Sequence, residues 1–289
     1  MDSRYRTASD LVASVDTLLT LPDVYLRVKA VVEDPDSYLT DLVNAISMDP
    51  GITARLLRMV NSAYFHLGAP VDNVRQAVNL LGMRSVHDLV LATTLTSTFA
   101  QAGGDTHRMR ELWVLSVRRG VYARLVARAC GIEDKEGLFV AGLLSHIGHQ
   151  LMYVQMPEQA GAARHAAAEA GAPLARTETD MLGFNYADVG AALMHAWELP
   201  QNLVATIRRH VDPNPVDEFA LDAAVVHVAD ALTRLDGEPV DEPQLIAEVI
   251  PAAWQITGLQ PVDLLALPSE AAEQLDAAIG MLLEGKGTS

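Results

Sequence analysis

Apolar residues recur along this chain at every third or fourth position, and strict alternation is nowhere sustained, a period that predicts successive helices with one face turned inward. Leu11, Val15, Leu18 and Leu19 share one such face, with Ser9 or Asp10 as the expected cap. Val24, Val28, Val31 and Val32 form a second face, and Leu39, Leu42, Val43 and Ile46 a third. Asp49-Pro50 then reads as an N-cap followed by proline at the first helical position, opening a helix through Ile52, Leu56, Leu57 and Val60. Val74, Ala77, Val78 and Leu81 lead to a stop at Gly82, and Val86, Leu89, Val90 and Leu95 resume the pattern. The densest run is 137–152, G-L-F-V-A-G-L-L-S-H-I-G-H-Q-L-M. Its residues Leu138, Phe139, Val140, Leu143, Leu144, Ile147, Leu151 and Met152 wrap most of a helix. A helix apolar on nearly all sides belongs at the centre of a domain.

Breaks in the pattern set the organisation. Gln101-Ala102-Gly103-Gly104-Asp105 is the best boundary, giving a helical lobe over 9–100 and a second over 105–235, with extra helices and a disordered tail in 236–289. The second lobe holds a long helix over 109–130, an Ala-rich one over 157–170, and further helices over 186–195, 203–210 and 221–235. The expected architecture is all-α, a two-lobed helical bundle.

Composition narrows the classes. The formal charge of −16 disfavours nucleic acid, whose binding depends on neutralising phosphates with Lys and Arg. Residues 40–62 can be read as a helix-turn-helix with Arg55 and Arg58 on its second helix, but residues 1–100 hold 8 Lys+Arg against 11 Asp+Glu. The single cysteine, Cys130, excludes an internal disulfide and any Cys-x-x-Cys zinc pattern. The N-terminus lacks an apolar signal core, and the apolar runs fall short of the about 20 residues that span a bilayer. These features point to a soluble cytoplasmic protein.

Candidate chemistry gathers around histidines. His146 and His149 stand three apart, on one face of the run 137–152 if it stays helical. With His210, His227 and Asp230 they supply imidazole and carboxylate donors of the kind that bind metals, although single histidines on apolar helix faces more often sit hydrogen-bonded in a core. Arg124 and Arg128 lie one turn apart, placed to grip a phosphate or an acidic partner, or to pair with the acidic remainder of the chain. Asn61 and Ser62 form a polar pair at a helix end and join the candidate pocket, a hydrogen-bonded helix terminus being the plainer reading.

Over 39–82 the sequence runs L-x-x-L-V-N-A-I-S-M-D-P-G-I-T-A-R-L-L-R-M-V-N-S-A-Y-F, then V-R-Q-A-V-N-L-L-G. This resembles the N-terminal signature of the HD-related output domain (HDOD) family. The resemblance continues through Trp113-x-x-Ser116, the Gly-Leu-Leu run, Val189-Gly190, Trp197-x-x-Pro200 and Val228-Ala229-Asp230, and covers roughly 18–235. It implies an HD-like C-terminal lobe and a bacterial signalling role without the catalysis of metal-bearing HD phosphohydrolases. Leu115 stands where those enzymes place a first histidine, Ser145-His146 replaces their His-Asp pair, Tyr186 replaces a further histidine, and Val211 replaces the second of a His-His pair. Only His210 and Asp230 match. The resemblance therefore implies no metal or other cofactor and no enzymatic activity, with a protein partner in a signalling pathway and a nucleotide as a further ligand. The alternative is a divergent metal-dependent phosphohydrolase built on His146, His149, His210 and Asp230.

Overall fold

In a computed structural model, the chain is described over residues 5–15, 21–61, 70–101, 106–133, 135–235 and 239–283, and these contain helices and no strand. The first half carries α1 (Ala8–Ala13), α2 (Asp23–Glu33), α3 (Leu39–Ser47), α4 (Pro50–Val60) and α5 (Val74–Gln101). Asp49 caps α4, its Oδ1 accepting from the Ile52 N–H at 2.9 Å with Pro50 next in the chain. Gly82 bends α5, with φ 83° and ψ 161°, values that only glycine adopts without strain. At α1 the cap is Thr7 rather than Ser9 or Asp10; Asp10 instead closes a capping box back onto the Thr7 N–H.

The second half follows with α6 (Thr106–Ala129), α7 (Lys135–Leu144), α8 (Ile147–Gln155), α9 (Pro157–Ala170), α10 (Leu174–Leu182), α11 (Tyr186–Ala196), α12 (Gln201–Arg209) and α13 (Ala220–Leu235). The last described stretch adds α14 (Glu242–Glu248), α15 (Pro251–Thr257), a 3₁₀ turn (Pro261–Leu264) and α16 (Leu267–Leu283). Helix α6 is the pivot, packed against α5, α7, α13 and α16. Both ends of the chain cross over: α1 lies on α11, and α16 runs along α6 to reach α4 and α5. A continuous apolar core extends from Tyr5 to Ala278.

The run 137–152 is not one helix. It breaks at Ser145-His146 into α7 and α8, with the Ser145 Oγ donating to the Gly142 carbonyl at 2.8 Å and His146 at φ −108°, ψ 18°. Its eight apolar residues are all buried on both sides of the break. The break turns α8 onto α11 at a backbone-to-backbone crossing. A Cβ on Gly148 would stand 2.0 Å from the Tyr186 carbonyl oxygen and 2.6 Å from the Gly190 nitrogen, so only glycine fits. That crossing brings the start of α8 against the start of α11. Among the described residues no helix is long and apolar enough to cross a membrane.

Candidate functional site

Helices α6, α8, α10, α11 and α13 and the C-terminal end of α12 meet where α7 ends, and each contributes a polar side chain to a largely buried cluster. Asp230, on α13, is its charged centre. The Arg119 Nε, from α6, donates to Asp230 Oδ1 at 2.6 Å, and both side chains are 8% exposed. Arg234, one turn along α13, donates from Nη1 to Asp230 Oδ2 and from Nε to Glu248 Oε2, the latter at 2.8 Å. His146 sets its Nε2 3.0 Å from Asp230 Oδ1, without the alignment of a hydrogen bond. Burial opposes ionisation of Asp230, but its charged neighbours, the Arg234 and Arg119 guanidiniums, outweigh it and hold the carboxyl well below its usual range.

Around this centre the rings stack. Tyr186 lies flat on His149, centroids 3.9 Å apart, and contacts His146 at 4.4 Å and His210 at 5.7 Å. Burial, and after it the Asp230 charge, pushes the Tyr186 phenol well above its ordinary pKa, so it stays neutral. A second carboxylate, Glu178 on α10, is 1% exposed and clamps the other side. Its Oε1 is 3.1 Å from His149 Nε2, and its Oε2 accepts from the Tyr186 N–H at 2.8 Å. Glu178 thus ties α8 to the first turn of α11, where a negative charge is also favoured by the helix dipole.

The tautomers of two histidines follow from their partners. His227 accepts at Nε2 from the Ile250 N–H at 3.2 Å, so its Nδ1 carries the proton and donates to the His210 carbonyl at 2.9 Å. Both nitrogens are consumed, and His227 serves the backbone. His210 donates from Nδ1 to the Ile207 carbonyl at 2.7 Å, which leaves Nε2 as a bare acceptor, buried and unpartnered among the described residues. Burial lowers the His210 pKa to about 4, and burial followed by the Arg119 charge lowers that of His146 well below its ordinary value. Both rings are neutral near pH 7.

The fold gathers His146, His149, His210 and Asp230, and Tyr186 sits among them. It does not bring the other candidates here. Arg124 pairs with Glu136, at 3.2 Å, on the neighbouring α7. Arg128 grips Glu270 of α16 through both terminal nitrogens, and is half-exposed. The Asn61 amide is spent on a local clamp, donating to the Leu57 and Val71 carbonyls at 2.9 and 2.7 Å and accepting from the Val71 N–H at 2.6 Å. Ser62 lies outside the described residues.

Three members escape a reading of the sequence as a list of histidines. Arg119 is one of several arginines on α6, and Arg234 ends an apolar helix; nothing local marks the first as buried against a charge or the second as reaching back to the same carboxylate from a half-exposed position. Glu178 left a better trace. On α10 the residues Leu174, Glu178 and Leu182 fall on one face, so a carboxylate interrupts an apolar stripe and needs a buried partner.

The chain matches the HDOD domain family over residues 18–213. It belongs to the HDOD family. A curated Treponema pallidum relative, named only as an uncharacterized protein, is 29% identical over 239 residues, or 81% of this chain. The chain spans 45% of that relative's length. The fold is shared with an HDOD domain protein of unknown function from Geobacter sulfurreducens (TM-score 0.75, 25% identity, 96% of this chain and 97% of that one). It is shared equally with a Shewanella amazonensis protein named provisionally as a phosphohydrolase (TM-score 0.73, 25% identity, 96% and 98%).

Metal-bearing HD enzymes need several imidazole and carboxylate donors converging on one point, and the residues present here do not fit that requirement. Leu115 has no donor, the Ser145 hydroxyl is committed to its own helix, and His227 has no free nitrogen. Asp230 already holds two guanidiniums. Among the described residues no group of three or more His, Cys, Asp or Glu is arranged to hold a metal ion.

Proposed function

We propose that this HDOD chain is a non-enzymatic regulatory module of the cytoplasm, which acts by binding a protein partner and takes a nucleotide-type ligand at most as an accessory. One observation carries the reading: Arg119 and Arg234 neutralise Asp230, the carboxylate that matches the HD metal ligand, so a cation approaching it meets two positive charges. Supporting it, side-chain exposures of 12% at His146, 8% at His149 and 1% at Glu178 leave no approach for a phosphoester. The cluster is therefore read as an inherited pocket turned into a polar core, which fixes how α6, α8, α11 and α13 meet and so the surface offered to a partner. Such a module would receive or pass on a signal through another polypeptide, since its membership of the HDOD family supports regulation.

The second reading, a divergent metal-dependent phosphohydrolase, is favoured by the convergence of His146, His149, His210 and Asp230 and by the provisional name of the Shewanella amazonensis neighbour. Metal content per chain after mild dialysis, measured together with turnover of bis(p-nitrophenyl) phosphate in added Mn²⁺, separates the two. The regulatory reading expects substoichiometric metal, no turnover, and a stoichiometric protein partner on co-purification. Stoichiometric metal with turnover lost in His210→Ala and Asp230→Ala overturns it.

A further inference from the structure

A cavity of about 530 Å³ shares no lining residue with the histidine cluster. Helices α2 and α5 form one wall, and α7, α12 and the start of α13 the other. Its size is that of a small-molecule site, and its body is apolar, built by Leu91, Ile132, Leu138 and Leu203. The polar groups are few. Among the lining residues three are carboxylates, Glu33, Asp88 and Asp222, and one is a cation, Arg84; Glu33 and Asp222 are each engaged elsewhere.

Asp88 is the carboxylate held ready. Its Oδ1 accepts from His87 Nδ1 at 2.9 Å, which fixes the proton on that nitrogen, and His87 Nε2 then accepts from the Tyr25 hydroxyl at 3.1 Å. Tyr25 is fully buried and His87 5% exposed, so the relay is rigid and its end, Asp88, is only 17% exposed. Asp88 Oδ2 has no partner among the described residues. Glu33, by contrast, is engaged by Lys29 at 3.4 Å. Across the cavity, Asn202 and Thr206 lie one turn apart on α12, and neither side chain has a partner among the described residues. Thr206 is 1% exposed, and with Asn202 it supplies the neutral polar groups of this wall.

We propose that this cavity binds a small organic amine, its ammonium on Asp88 and its aliphatic or aromatic body against Leu91, Leu138 and Leu203, with Asn202 and Thr206 hydrogen-bonding a second polar group. A phosphate or nucleotide would set its negative charge against Asp88. The assignment stands apart from the regulatory reading, since an amine binds here whether or not a protein partner exists.

The test is calorimetric titration of the full chain with n-hexylamine, beside hexanoate, 1-hexanol and adenosine monophosphate as matched probes. Saturable binding of hexylamine is expected, tighter than that of the other three. It weakens roughly tenfold or more in Asp88→Asn and disappears in Leu203→Trp, which fills the apolar end. Circular dichroism checks that each variant folds; should Leu203→Trp fail, Asp88→Asn decides alone. Absence of saturable hexylamine binding, equal affinity in a folded Asp88→Asn, or hexanoate or adenosine monophosphate binding as tightly as the amine each overturns the proposal.

Discussion

Arg119 and Asp230, 111 residues apart in the chain, meet at 2.6 Å in a site where each side chain is 8% exposed. Two charges removed from water in this way are stable only together. Asp230→Ala leaves Arg119 buried with no counter-charge and is expected to lower unfolding stability by about 3–5 kcal/mol. Changing both partners to leucine recovers much of that loss, because no charge is then stranded. Urea unfolding of the two variants checks this, and a loss below about 1 kcal/mol in the single variant contradicts it.

Stability should fall on acidification well before carboxylates titrate. The His210 pKa drops from 6.5 to about 4 in the fold, because burial disfavours the charged ring. In that window the unfolded chain binds a proton that the folded one does not. The contribution is thus complete above pH 6.5 and is lost as pH falls towards 4, on the order of 3 kcal/mol for this residue. His146 and His227 are shifted in the same direction. The depressed Asp230 acts lower still, its contribution being present above its ordinary 3.8 and lost only below it. In His210→Asn, which can keep a donor towards Ile207, the slope of stability against pH between these limits should flatten by at most about 1.4 kcal/mol per pH unit. An unchanged slope, measured by unfolding at a series of pH values, rules out this origin.

Gly148 and Gly161 should respond oppositely to alanine. A Cβ at Gly148 collides with backbone of α11, which cannot rotate away, and the expected loss is on the order of 3 kcal/mol or more. Gly161 lies within α9 with nothing near its missing Cβ, so alanine there should stabilise by roughly 0.5–1 kcal/mol through helix propensity. Melting temperatures of the two variants give the answer; stabilisation at both positions contradicts the α8–α11 crossing.

Asn61→Ala removes three hydrogen bonds to backbone groups at positions 57 and 71. A loss of about 1–3 kcal/mol is expected, because the Val71 N–H and carbonyl lose their partner. Asn61→Asp keeps the acceptor and should fall between the two. If the alanine variant unfolds with the wild type, the clamp contributes nothing.

The Arg128–Glu270 pair offers a contrast with Arg119–Asp230. Its side chains are 48% and 33% exposed, and exposed pairs are screened by water and salt. Glu270→Ala should lower stability by less than about 1 kcal/mol. A larger loss, or one insensitive to added salt, would show that α16 depends on this contact.

The all-helical class was legible in the sequence because the period of the apolar residues is a local property. The same holds for the Asp49 cap and the Gly82 break, each decided by groups within a turn of one another. The family signature over 39–82 was legible for the same reason, and the HDOD assignment agrees with it. His146, His149, His210 and Asp230 could be named as candidates from residue type alone, but their meeting could not. It depends on the break at Ser145-His146, where a continuous apolar period gave no warning, and on Gly148 admitting the backbone of α11. Sequence also could not show which cations would neutralise Asp230. Arg119 and Arg234 resemble any other arginines until the packing of α6 on α13 removes water from between Arg119 and Asp230 and leaves Arg234 at the rim. Helix period is written in neighbouring residues, whereas charge partners, tautomers and cavities arise only when distant segments exclude solvent together.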